Sequence, residues 1–190
     1  MNSFFVRSTA KMRKAIPLIE AKIKINIMLR GKKANIKGNH LNEVIVLKIL
    51  QAIDFGFDVE DALLLKNSDY LLEFINIKEH TRRKNLQEVR SRVIGTSGKA
   101  KRTIEELSGA VIVIHDNKVG IIVNAEHLTS ATQGIISLIQ GSKHANVFAY
   151  LEKQNRNMRK RDSDDLGLKK DFELKEEDIS VERKSSHKKL

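Results

Sequence analysis

The order of apolar patterns in this 190-residue chain repeats once, and that repeat limits its fold more than any other feature. In the first half, Ser3–Arg7 reads as a short strand. Met12, Ala15, Ile16, Ile19 and Ile23 then recur at helical spacing. Pro17 lies inside that pattern, where it removes a backbone hydrogen bond and crowds the preceding turn, so a kink or a second helix start is expected. Ile23, Ile25, Ile27 and Leu29 alternate with Lys24, Asn26 and Met28, the two-residue period of a strand. Gly31-Lys32-Lys33 turns the chain into a return strand at Ala34–Lys37, which Gly38-Asn39 closes. Leu41–Phe55 gives a helix expected to bury Val44, Leu47, Ile49, Leu50 and Ile53.

A connector follows. Gly56 ends the helix, and Val59–Leu65 reads as a short helix with Asp58 at its N-cap. Asp69–Ile77 is apolar and fits a helix or a strand equally well, and His80–Lys84 is a basic boundary. The second half then repeats the order of the first. Leu86–Arg90 can form a strand, and Arg92-Val93-Ile94 is too short for more than one helical turn. Gly95–Gly98 is a loop, and Lys99–Leu107 is a helix that ends at Gly109. Ala110–Ile114, the turn His115-Asp116-Asn117-Lys118 and Val119–Val123 make a hairpin, followed by a helix at Leu128–Leu138. A last helix from His144 to about Lys160 presents Val147, Phe148, Leu151 and Met158 inward. The expected class is α+β, with two small copies of one unit at 1–77 and 78–160. The tail, 161–190, is dense in both charge signs and too poor in apolar residues to offset its ordering entropy, so disorder is expected there.

Charge narrows the partners. Lys and Arg outnumber Asp and Glu 35 to 24, which leaves a net charge of +11 and points to an anionic partner. There is no cysteine, so disulfides and thiolate metal sites are excluded. No long uncharged apolar run exists, and Arg7, Lys11, Arg13 and Lys14 interrupt any signal-peptide core, so no membrane role and a cytoplasmic location are expected.

Within the second half, Arg92-Val93-Ile94-Gly95-Thr96-Ser97-Gly98-Lys99-Ala100-Lys101-Arg102 suits an anionic backbone. Two glycines with small polar residues between them reach unusual dihedrals and leave no side chain in a phosphate's path. The helix start that follows offers unpaired N–H groups and a partial positive charge, to which Lys99, Lys101 and Arg102 add. A nucleotide-hydrolysing P-loop fails on spacing, because it needs glycine at Val93 and Ser or Thr at Ala100. The dinucleotide fingerprint fails for want of a further glycine after Gly95.

The stretch Val93–Lys99, followed by Ile104-Glu105-Glu106-Leu107-Ser108-Gly109-Ala110, a hairpin and a helix, resembles a type I KH domain. In such domains a Gly-x-x-Gly loop clamps about four nucleotides of a single strand. The resemblance implies that Gly95–Gly98 contact the sugar-phosphate backbone. It also implies that Val93 and Ile94 form one wall of a base groove, with Ile112 and its strand neighbours as the other. Asp69-Tyr70-Leu71-Leu72-Glu73 and Ile139–Glu152 extend the likeness to the two-KH proteins of archaeal small-subunit ribosome biogenesis, related to the eukaryotic partner of the rRNA 3′-end endonuclease. Lys143 stands where that family usually has proline in the run before His144. Between Phe5 and Ile23 there is no Gly-x-x-Gly, so the first unit is expected to be a degenerate copy that serves packing or protein contact. The resemblance implies single-stranded RNA from the 3′ region of small-subunit rRNA, and as partners the processing endonuclease and the alpha subunit of translation initiation factor 2.

Catalysis finds little support. His40, His80, His115, His127, His144 and His187 are scattered without metal-ligand spacing, and Ser97 has no base beside it. No cofactor is expected. The reading is a non-catalytic RNA-binding protein. Its rivals are a protein–protein adaptor built on KH scaffolds and a general nucleic-acid binder.

Overall fold

A computed structural model describes residues 2–164. The first half runs β1 (Asn2–Phe5), α1 (Thr9–Lys22), β2 (Ile25–Arg30), β3 (Lys33–Gly38) and α2 (His40–Phe55). Its sheet is antiparallel in the order β1-β3-β2. A single helix runs through Pro17, because Met12, Ala15 and Ile19 on either side of it are all buried in one core. On α2 the buried stripe is Val46, Ile49, Leu50 and Ile53; Val44 faces out and Leu47 is half-buried. A short helix, α3 (Val59–Leu63), follows, and Asp58 holds its N-cap position without a side-chain bond.

The second half departs from expectation at its start. Tyr70–Asn76 is a strand, β4, and it pairs along its whole length with β6 (Lys118–Asn124). This second sheet has the order β4-β6-β5, with β5 at Val111–His115. It therefore begins at Tyr70, ahead of the expected boundary at 78. Leu86–Arg90 is no strand. It opens α5 (Leu86–Ile94), which comes after the single turn α4 (Ile77–His80). The Asn85 side chain caps α5 by accepting from the N–H groups of Gln87 and Glu88, and Leu86, Val89 and Val93 fall on one helical face. The remaining elements are α6 (Lys99–Ser108), α7 (Ala125–Gln140) and α8 (His144–Asp164). Apart from 161–164, which continue α8, the tail expected to be disordered lies outside the described residues.

The repeat is visible residue by residue. Glu20 and Glu105, Ile27 and Ile112, Ile36 and Ile121, Asn39 and Asn124, and Gly56 and Gly141 are matched pairs, each 85 positions apart (105 less 20). Ile27 pairs with Ile36 across the first sheet as Ile112 does with Ile121 across the second. Asn39 and Asn124 each cap the helix that follows. Before the loop this register breaks: Phe4 opposes Ala34, while Ile75 opposes Val119, an offset of 71. The second half thus carries 14 extra residues (85 less 71) in its first connection, where α4 and α5 lie. The first half has no counterpart to α5 or to the loop after it.

Both faces of the second sheet are covered. Val119, Ile121 and Ile112 pack under the helices with Val93, Ile104 and Ile135. On the other face Ile122, Val111 and Val113 join the core of the first half. Gly120 permits that contact, since a Cβ there would come within 2.6 Å of the Phe55 ring and 2.8 Å of Phe57.

Candidate nucleic-acid interface

The Gly95–Gly98 turn joins α5 to α6. Gly95 leaves α5 at φ 74°, ψ 174°, its N–H bonded to the Ser91 carbonyl at 2.8 Å. Ser97 and Gly98 are left-handed, at φ 52° and 75°, and the Gly98 N–H closes on the Gly95 carbonyl at 3.2 Å. The two glycines answer different constraints. A Cβ at Gly95 would stand 2.6 Å from the Ala100 Cβ and 2.7 Å from its backbone nitrogen, whereas one at Gly98 meets nothing closer than 3.8 Å. Gly95 is therefore required by packing and Gly98 by its dihedrals alone.

The first turn of α6 faces this loop. Asn39, Asn85 and Asn124 cap α2, α5 and α7 with their side chains, while α6 starts on Gly98, which has no side chain to cap with. Helices α1 and α3 also lack a cap bond, but neither follows a Gly-x-x-Gly loop. Helix-start N–H groups carry partial positive charge and accept an anion where no side chain fills the place. Lys99 is exposed there. Arg102 donates to the Ser97 carbonyl at 2.5 Å, which fixes the loop and keeps a cation beside it. Lys101 reaches along the helix, away from the loop, to Glu105 at 3.6 Å.

Arg92 is committed elsewhere. Its guanidinium donates to the carbonyls of Gly141 (3.0 Å) and Ser142 (2.5 Å) at the α7–α8 joint. From the same joint His144 Nε2 donates to the Arg92 carbonyl at 2.9 Å. This pair of contacts seats the start of α8 against the end of α5. The result is a cleft of about 490 Å³ bounded by Glu88, Ser91, Gly95, Lys99, His144 and Phe148. The His144 and Phe148 rings lie 6.0 Å apart in its wall.

The structure gathers Ile94, Gly95, Thr96, Ser97, Gly98, Lys99 and Arg102 around one turn. It does not expose Val93 or Ile112, both 0% accessible in the second core. Neither can wall a groove, because Val93 lies on the inner face of α5 and Ile112 under the helices. Ile94, at 38%, is the apolar side chain of that stretch that reaches solvent. The wall opposite the loop comes instead from His144 and Phe148. With α5 read as a helix, the spacing of Glu88, Ser91, Arg92 and Gly95 would have placed the first three on the loop's side.

Two helices joined by a Gly-x-x-Gly turn and packed on a three-stranded antiparallel sheet define a KH domain of type I. Residues 71–156 match the family described as the eukaryotic-type KH domain (KH-domain type I). The chain is similar to a KH domain-containing protein of Methanocaldococcus jannaschii, 34% identical over 59% of this chain and 50% of that one. It is also similar to the pre-rRNA-processing protein PNO1 of Candida albicans, 30% identical over 76% of this chain and 56% of that protein. Among solved structures, Dim2p of Pyrococcus horikoshii aligns at a TM-score of 0.70 and 30% identity, covering 80% of this chain and 99% of that one. The chain belongs to this family of Dim2p- and PNO1-like KH proteins. It spans about half the length of the curated relatives it matches. Among the described residues no helix is long and apolar enough to cross a membrane.

Proposed function

We propose that this chain is a cytoplasmic, non-catalytic protein that holds single-stranded RNA through Gly95–Gly98, and that its RNA is the 3′ region of small-subunit rRNA during processing. One observation carries the reading: α6 presents its first turn without a side-chain cap, behind a glycine loop and between Lys99 and Arg102. A backbone phosphate fits that place, and Ile94, His144 and Phe148 offer surfaces to the bases beside it. The first half, without α5 or a glycine loop, is a degenerate KH copy that supports the second. In support, relatives are named pre-rRNA-processing proteins, and Dim2p has been crystallised in an a/eIF2alpha–aDim2p–rRNA complex. By the same reasoning the initiation factor's alpha subunit and the processing endonuclease are its protein partners.

Equilibrium binding to single-stranded RNA, single-stranded DNA and duplex across a salt series tests the reading. Single-stranded RNA is expected to bind tightest, with a log–log salt slope of about −2 to −3 if some three or four phosphates are engaged. Equal affinity for duplex, or no salt dependence, contradicts it. Failure to bind any of the three leaves the adaptor reading in its place.

A further inference from the structure

Aromatic residues are scarce in this chain, seven Phe and two Tyr with no Trp, yet several Phe meet at one place away from the loop. The edge strands β1 and β4 bring Phe5 and Phe74 to a cleft of about 290 Å³ that Phe4, Phe55, Arg7 and Lys118 also line. Phe5 is 71% exposed, and Lys33 Nζ stands 6.0 Å over its ring. Phe74, 38% exposed, packs on Phe55 at a 55° tilt with centroids 4.8 Å apart. The acid of the cleft, Asp54, is already occupied: it accepts the Arg7 backbone N–H at 2.7 Å and pairs with the Arg7 guanidinium at 3.7 Å. With Arg7 tied to Asp54, Lys33 and Lys118 leave the rim positive beside the exposed Phe5 ring.

We infer that this patch is a second contact for single-stranded RNA, with an unpaired base stacked on Phe5 and the flanking phosphates held by Lys33 and Lys118. Exposed rings set among cations suit bases and phosphates, since every base has a π-face and the cations follow the backbone. Exposed aromatic rings also suit a protein interface, but the uncompensated Lys33 and Lys118 favour an anionic strand. The inference rests on the chain being an RNA binder, but not on the loop being its grip, because none of these residues lines the cleft at Gly95.

The absence of tryptophan gives a clean reporter. Phe5→Trp, titrated with a single-stranded RNA of about 20 nucleotides, is expected to show quenched emission. Phe5→Ala is expected to weaken that RNA by on the order of tenfold, while a four-nucleotide RNA binds as it does to the parent. The exposure of Phe5 means that both variants keep the fold, which thermal melts verify. Unmoved Trp emission at saturating RNA, or unchanged affinity of Phe5→Ala for the long RNA, overturns the inference and leaves the patch to a protein. Repeating the Trp titration with Thr96→Asp and Ser97→Asp added separates the two sites. Quenching that persists at higher RNA concentration upholds the patch whatever becomes of the loop, and quenching abolished at every concentration overturns it.

Discussion

Arg92 and His144 bind each other's backbone surroundings: the arginine holds the carbonyls just before His144, and the histidine ring donates to the arginine's own carbonyl. The contact joins helix ends 52 residues apart and sets the width of the cleft beside the loop. Arg92→Lys keeps the charge but loses the planar fork that reaches two carbonyls. It is expected to lower unfolding stability by about 1–3 kcal/mol, read from urea midpoints, and to weaken short single-stranded RNA as the cleft loosens.

The two loop glycines should separate under substitution. Gly98→Ala faces open space and carries only the cost of a left-handed alanine, about 1 kcal/mol, so it folds. Gly95→Ala drives a methyl into Ala100 and must shift α6, and its cost is expected to exceed that of Gly98→Ala by at least about 1–2 kcal/mol. Paired denaturation curves check the order.

Glu105 accepts the Ile112 N–H at 2.8 Å on an edge strand, and Glu20 accepts the Ile27 N–H at 2.7 Å on the edge strand of the other sheet. Both occupy a donor that would otherwise be open to pairing by another chain. Glu105→Ala is expected to cost about 1–2 kcal/mol more than Glu105→Gln, which keeps an acceptor. The same comparison at Glu20 should give the same sign.

Asp61, on α3, has its pKa raised by burial first and then by the neighbouring Asp58 and Glu60, with Lys101 opposing. A carboxyl that holds its proton more tightly folded than unfolded adds stability as pH falls and detracts once ionised. Asp61→Asn is therefore expected to melt higher than the parent at neutral pH. The gap should close as pH falls below the ordinary aspartate range.

Much of this was legible in the sequence. The two-residue alternation of Ile25, Ile27 and Leu29 and the turn residues of each hairpin located the strands, because those signals are local. The helix expected from Leu128, by contrast, starts at Ala125 under the Asn124 cap. Leu86–Arg90 misled because five residues are too few to establish a period; the three-residue spacing of Leu86 and Val89, the Asn85 cap and the buried Val89 and Val93 decide for a helix. Tyr70–Asn76 was undecidable alone, since its identity as a strand depends on β6, more than forty positions away. The loop was found from its glycines. Its apolar walls were misplaced because nothing local reveals that Ile112 lies under helices or that α8 returns His144 and Phe148 to the loop.

The central claim is that a phosphate sits at the Thr96-Ser97 turn, and replacing both residues by Asp puts negative charge there. Both are exposed, so the fold should hold. The measurement is the affinity of Thr96→Asp/Ser97→Asp for a four-nucleotide single-stranded RNA across a salt series. The expected result is an affinity at least about tenfold weaker at low salt and a salt slope shallower by roughly 0.7 for each phosphate that the protein no longer engages. A folded double variant with the parent's affinity and slope would contradict the assignment.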